Sequence, residues 1–363
     1  MSGEYGYARV VVKVGSNVLT RADGTLDTTR MSALVDQVAA LRRAGVEVIM
    51  VSSGAVASGR SEMRGAVHRL DPVSARQLFS AVGQVKLINR YYNLFREHGI
   101  VCGQVLTAKE NLSTRRHYLN QRNCMHVMLA NGVIPIVNEN DTISVTELMF
   151  TDNDELSGLV STMMDAEALV ILSNIDGIFD GDPADPSSSV IREIAPGRDD
   201  LAQYVRAGKS EFGRGGMLTK CRIARKVADE GVEVVIANGK RDNILLDVLG
   251  GGDVVCTRFL PSSRPVSGVK RWIAHSEGFT KGEVHVNAGA CEALQSSRAV
   301  SLLPVGVSRI EGEFEKDDIV RIVSPDGVAI GVGRVAVDSG EARALVGRRG
   351  AKALIHYDYL YLD

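Results

Sequence analysis

VNENDTISVTELMFTDNDELSG, residues 137–158, crowds Asn138, Glu139, Asn140, Asp141, Asp152, Asn153 and Asp154 between apolar segments. Ile134–Val137 in front of it reads as a buried parallel strand, and Leu156–Met164 behind it as a helix. The polar residues then fall on connections at one strand end, the edge where open α/β sheets hold ligands. Asp152, Asn153 and Asp154 also stand at a helix start, where short polar side chains cap free N–H groups, but capping accounts for one of the three.

Working outward, strand and helix patterns alternate. Val10–Val14 is a strand apolar on both faces except for Lys13, followed by Gly15, Ser16 and Asn17 as a tight turn. A lysine inside a buried strand requires a partner, and at the strand end its ammonium suits an anion approaching Gly15. Residues 27–44 form an amphipathic helix, 47–51 a strand entering the small-residue turn Ser52-Ser53-Gly54-Ala55, and 73–98 a long helix. Strands at 100–106, 133–137, 168–174, 232–238 and 254–260 alternate with helices at 114–130, 217–230 and 243–249. This is the βαβ pattern of an open, mostly parallel sheet sandwiched by helices.

EFGRGGMLTK, residues 211–220, is the second informative stretch: Gly213, Gly215 and Gly216 precede a helix with Lys220 in its first turn. Backbone N–H groups at such a start bind phosphate. The nearby Gly208-Lys209-Ser210 imitates a P-loop tail, but Gln203 stands where that motif needs its first glycine. From Lys281 onward short β-rich segments recur, among them GEVHVNAGACEAL, SRAVSLLPVGV and KALIHYDYLYL. The expected organisation is one α/β domain over 1–261, a linker over 262–280 and a small β-rich module over 281–363.

The bulk properties exclude several classes. The chain has 363 residues and 45% hydrophobic content, with 42 Lys plus Arg against 44 Asp plus Glu, so its net charge of -2 gives no global attraction to nucleic acid or anionic membrane. Five cysteines without CxxC spacing read as reduced core residues of a cytoplasmic protein. No HExxH or paired Cys/His spacing signals zinc, and neither a secretory leader nor a membrane span is expected.

Two lysines on separate loops, a glycine-rich anion cradle and an acid-amide cluster suit phosphoryl transfer from a nucleotide to an anionic acceptor, with Mg2+ bridging the nucleotide phosphates. The motifs VVKVGSNVLT, VSSGAVASGR, IPIVNENDT, FTDNDELSG and GRGGMLTK together resemble the amino acid kinase family, most narrowly its glutamate-phosphorylating members. The tail, with VNAGACEAL, SLLPVGV and GEFEKDDIVRI, resembles the PUA domain that many bacterial members carry. The resemblance implies the amino acid kinase fold and transfer of the ATP γ-phosphoryl group to the side-chain carboxylate of L-glutamate, the first step of proline biosynthesis. It assigns Lys13, Lys220 and Asp154 to catalysis, and Ser53, Asn138, Asp141, Asp152 and Asn153 to glutamate. Lys13, Gly15, Ser173, Asn174, Arg214, Gly215, Gly216, Met217 and Lys220 fall at nucleotide-contact positions, with no metal ligand assigned among side chains. Where the family commonly has Thr-Asp, this chain has Ser173-Asn174, which keeps hydrogen bonding and drops a charge.

The family further implies feedback by L-proline and a homo-oligomer of two or four chains; a glutamyl phosphate reductase, the next enzyme, is a candidate partner, and the sequence leaves open whether the product is handed to it directly. The rival readings are a kinase of aspartate or N-acetylglutamate, an RNA-binding protein acting through the tail, and a regulator without catalysis. Residues 281–363 carry 10 Lys plus Arg and 12 Asp plus Glu, which offers RNA little phosphate attraction.

Overall fold

The computed structural model describes residues 5–63, 70–108, 115–143, 153–183, 185–196, 217–263, 273, 280–295 and 300–362. It divides into two compact units, 1–108 with 121–265, and 109–120 with 266–363.

The first unit is built on eight strands among the described residues: β1 (Arg9–Val14), β2 (Glu47–Ser52), β3 (Cys102–Thr107), β4 (Ile134–Glu139), β5 (Ala168–Ser173), β6 (Glu193–Ile194), β7 (Glu233–Asn238) and β8 (Cys256–Phe259). They lie in the order β3-β4-β2-β1-β5-β7-β8-β6. Neighbours from β3 to β7 are parallel, while β8 runs antiparallel to β7. The apolar runs RVVVKV and ALVILS form the central strands because helices cover both faces and burial removes the need for alternation.

Local signals fix the helices. In α2 (Thr28–Arg43) the Asp27 side chain accepts from Arg30 N, and Met31, Leu34, Val35, Val38 and Leu41 face the core. In α4 (Pro72–Glu97) Asp71 accepts from the N–H groups of Val73 and Ser74, with Pro72 in the first helical position. Further helices are α1 (Ser16–Leu19), α3 (Ala55–Glu62), α5 (Arg115–Ala130), α6 (Asn153–Met163), α7 (Met217–Asp229) and α8 (Ile244–Leu249). Gly54, at φ 98°, makes the turn from β2 into α3.

The second unit holds a five-stranded sheet in the order β10-β9-β11-β12-β13, from β9 (Gly282–Val286), β10 (Val307–Gly312), β11 (Ile319–Val323), β12 (Ala329–Val335) and β13 (Ile355–Leu362). Its own apolar core gathers Val284, Val286, Leu302, Val320, Ile322, Val335 and Ile355.

The structure corrects the sequence reading in several places. Residues 16–19 are a short helix, where a simple turn was expected, and α3 follows a stretch read only as a small-residue turn. In the tail, AGACEALQ is a helix, α9 (Ala288–Gln295), accompanied by α10 (Ser339–Leu345). Strand β4 continues through Asn138 and Glu139, so both are buried strand residues, not connection residues. Among the cysteines Cys102, Cys221 and Cys256 are buried, but Cys124 is exposed. Among the described residues no helix is long and apolar enough to cross a membrane.

Candidate functional site

Parallel pairing brings the carboxyl ends of β1, β2, β4 and β5 side by side. Lys13 is paired in register with Val51 on one side and Ile171 on the other. Gly15 N donates to Leu172 O at 3.0 Å and Ser53 N to Val14 O at 3.2 Å, so the strand exits are themselves laced together.

Lys13 finds its partner in Asp154, in the first turn of α6. Its Nζ is ion-paired with Asp154 Oδ1, while Lys220 Nζ, from the first turn of α7, donates to Oδ2 at 2.5 Å. The side chains of Lys13, Asp154 and Lys220 are 6%, 0% and 12% exposed, so a desolvated carboxylate stands between two nearly desolvated ammonium groups. Burial by itself raises the Asp154 pKa, but the two ammonium groups outweigh it and bring the carboxyl down to about 2. The helix N-terminus favours the same anion. Close packing of α6 on α7 permits the arrangement: a Cβ on Gly158 would lie 2.9 Å from Val227 Cγ2.

Beside this triad Asn153 ties three elements together. Its Nδ2 donates to Ser52 O at 3.0 Å, Ser53 Oγ at 2.9 Å and Asn138 Oδ1 at 3.0 Å. Its Oδ1 is buried and has no hydrogen-bond partner among the described residues, leaving an acceptor without a donor. Asn138 Nδ2 in turn donates to Gln84 Oε1 at 2.8 Å, and Glu139 N donates to Asn138 Oδ1 at 2.9 Å. Asp141, also buried, is held by Arg76, whose Nε donates to its Oδ1 at 2.8 Å. Ser80 Oγ donates to Asp141 Oδ2 at 3.3 Å.

Ser173 is buried at the end of β5 and its hydroxyl donates to Asn174 Oδ1 at 3.4 Å, with Asn174 exposed. Beyond them Arg241 grips Asp176 through two bonds, Nε to Oδ1 at 2.7 Å and Nη2 to Oδ2 at 2.8 Å. Asn238 Nδ2 donates to Asp176 Oδ1 at 3.0 Å, closing the group at the ends of β5 and β7.

Thus Lys13, Lys220 and Asp154 meet directly, and Ser53, Asn138 and Asn153 form one hydrogen-bonded group. Asp141 belongs to a second pair with Arg76, and Gly15, Ser173, Asn174 and Met217 lie at strand ends or at the start of α7. Asp152, Arg214, Gly215 and Gly216 lie outside the described residues. Sequence reasoning missed Arg76, Ser80 and Gln84, all on α4. Their only sequence signal is a run of polar residues, four apart, on a helix expected to face the core or a partner subunit.

The arrangement suits an anion between two ammonium groups next to a pocket of amide and carboxylate groups. Asp154 gives both oxygens to lysines and Asp141 faces Arg76, so these carboxylates suit the ordering of cations better than the ligation of a resident metal. In the second unit Glu283, His285 and Glu311 lie within 4.8 Å of one another, but Arg321 holds Glu283 at 3.0 Å and Arg309 holds Glu311 at 2.8 Å, so that group is charge-compensated.

A family model described as the amino acid kinase family matches residues 8–238, and one described as the PUA domain matches residues 282–357. The chain is 68% identical over 358 residues to a glutamate 5-kinase of Bacteroides thetaiotaomicron, covering 98% of this chain and 99% of that one. It is 49% identical over 359 residues to a glutamate 5-kinase of Chlorobaculum tepidum, covering 98% of each. Among solved structures, a carbamate kinase from Giardia lamblia bound to AMP-PNP is similar in fold, with a TM-score of 0.52 at 16% identity, over 71% of this chain and 100% of that one.

Proposed function

The chain belongs to the amino acid kinase family, and from that premise we infer that it transfers the γ-phosphoryl group of ATP to the side-chain carboxylate of L-glutamate, opening proline biosynthesis. The observation that carries this reading is the buried Lys13–Asp154–Lys220 triad. Phosphoryl transfer demands positioning and charge neutralisation, which two ammonium groups held a carboxylate's width apart supply.

The acceptor carboxylate is deprotonated at neutral pH, so no general base is needed. One of its oxygens attacks the γ-phosphorus as the bond to the β,γ-bridging oxygen breaks, giving glutamyl 5-phosphate and ADP. Lys13 and Lys220 hold the transferring phosphoryl oxygens, and Lys220 offsets charge gathering on the leaving ADP. Asp154 keeps both lysines aimed. Ser53, Asn138, Asn153, Asp141 and Asp152 hold the amino acid, to which Asn153 Oδ1 offers an acceptor that no described residue uses. Gly15, Ser173, Asn174 and the 214–217 segment hold the nucleotide. Magnesium bound with the nucleotide would screen its phosphates; Asp154 and Asp141 already face cations, so no described side chain of the site is assigned to hold it.

The same reading places the domain limits at 1–261 and 281–363, with L-proline acting as a feedback inhibitor at the glutamate pocket. It also includes a dimer or tetramer in the cytoplasm and passage of the labile product to a reductase. A proline titration and a solution mass measurement test the regulatory and oligomeric parts.

The deciding experiment measures ATP turnover with magnesium on L-glutamate, L-aspartate and N-acetyl-L-glutamate, trapping the acyl phosphate with hydroxylamine. Hydroxamate with L-glutamate alone, abolished by Lys220→Ala, is expected. Hydroxamate with none of the three overturns the assignment.

A further inference from the structure

Arg76 stands in the second turn of α4, 65 residues before the aspartate it binds. Its Nε donates to Asp141 Oδ1 at 2.8 Å, and its Nη2 donates to that same oxygen and to Glu139 Oε2 at 3.3 Å. The two carboxylates are 8% and 4% exposed, against 26% for the arginine side chain. One guanidinium thus serves two buried carboxylates.

The pairing leaves part of the guanidinium unused. Arginine presents its donors in a fixed planar fork, and a carboxylate that merely needs neutralising is commonly met by two parallel bonds to its two oxygens. Here Nε and Nη2 converge on a single oxygen of Asp141, and Nη1 makes no hydrogen bond among the described residues. Among the described residues Asp141 Oδ2 receives only the 3.3 Å bond from Ser80. The half-buried corner therefore presents an unspent cationic donor beside an under-used anionic acceptor.

That pattern is the complement of an amino acid's head group, in which a carboxylate and an ammonium are carried on one carbon. We propose that Arg76 determines specificity: Nη1 takes the α-carboxylate of the substrate while Asp141 takes its α-ammonium, so the pair selects a free α-amino acid. The inference rests on the glutamate reading given above and assigns the end of the substrate remote from the phosphoryl group. Without the arginine, Asp141 and Glu139 would attract any amine and repel the α-carboxylate. With it, the corner rewards the zwitterion and penalises a molecule lacking either charge.

The test compares L-glutamate with its α-amide, L-isoglutamine, which keeps the ammonium and the reacting side-chain carboxylate and replaces the α-carboxylate by a neutral group of similar size. Hydroxamate formation gives kcat/KM for both. A charged hydrogen bond of this kind is worth about 30-fold, so the parent enzyme is expected to prefer glutamate by about that factor. In Arg76→Gln the preference is expected to shrink to within about threefold, with the loss falling on glutamate and chiefly on KM. Equal losses on both substrates, or an unchanged preference, overturn the proposal and leave Arg76 a positioning residue for Asp141. The parent enzyme tests the idea even if Arg76→Gln fails to fold: turnover of the α-amide as efficient as that of glutamate overturns it. An active parent enzyme in these outcomes separates failure of this inference from failure of the glutamate reading, in which glutamate itself gives no hydroxamate and this inference falls with it.

Discussion

Asp154 is the residue on which the site turns, because it accepts from two lysines that would otherwise repel each other in a nearly dry enclosure. Asp154→Asn keeps the shape and removes the charge. The two ammonium groups are then left buried without their counter-ion, which costs about 3 kcal/mol or more of stability. The loss of aimed charge is expected to lower kcat by about 100-fold or more. Urea unfolding and the hydroxamate assay read the two effects separately; a variant as stable and as active as the parent would falsify the triad's role. The pH dependence follows with a definite sign. With a folded pKa of about 2 against an ordinary 3.8, Asp154 contributes stability that is complete above the ordinary value and is lost as pH falls through about 2. Acid unfolding of the parent should accordingly steepen over that interval, and Asp154→Asn should flatten it.

At the scale of elements, the site depends on how closely α3 crosses α4. A Cβ on Gly83 would overlap the Ala55 carbonyl oxygen, and one on Gly59 would overlap the Phe79 carbonyl oxygen, so glycine at both places lets the helix backbones touch. Gly83→Ala is expected to push the helices apart at a cost of about 3 kcal/mol. The neighbouring Gln84 should then lose its grip on Asn138, raising KM for glutamate several-fold while leaving KM for ATP near the parent value. An unchanged melting temperature and an unchanged glutamate KM would count against this account. This crossing also marks where the sequence stops being legible. Lys13, Asp154 and Lys220 stood out because charges in apolar strands and at a glycine-rich helix start contradict their local pattern. Arg76 contradicts nothing: on a long amphipathic helix it looks like any solvent-facing cation, and its bond to Asp141 exists only once β4 and α4 have met. The α3 sequence AVASGRSE has no apolar period to announce a helix, since small residues pack by closeness of backbone. In AGACEALQ the surrounding β-rich pattern masked a helix of small residues.

At the scale of the whole chain, the residues assigned to chemistry lie in the first unit, while the second has its own core and a surface of mixed charge. Of the tail arginines Arg343, Arg348 and Arg349, whose clustering would make a basic patch, Arg343 is already engaged with Gly312 O and Glu313. With 10 basic against 12 acidic residues over 281–363, tRNA should not be retained in filter binding at low salt below about 10 μM protein, the range of ordinary non-specific affinity. Retention at submicromolar protein would reopen the RNA reading. Separate cores lead to a stronger expectation. Val12, Val14, Leu34, Met50, Ile136 and Val170 pack in one cluster, and Val284, Val320, Ile322 and Ile355 in another, with no residue in common. A chain ending at residue 265 should therefore retain Lys13, Asn153, Asp154 and Lys220 in their arrangement and form hydroxamate within about threefold of the parent rate. Residues 115–120 nevertheless belong to the second unit, which the truncation removes in the main, and the shortened chain should melt lower, by about 2–4 °C for each kcal/mol lost. Calorimetry and the hydroxamate assay on the shortened chain decide the matter together. A lower transition with retained activity is the expected pair, whereas a cooperative transition without activity would assign the tail a direct part in catalysis.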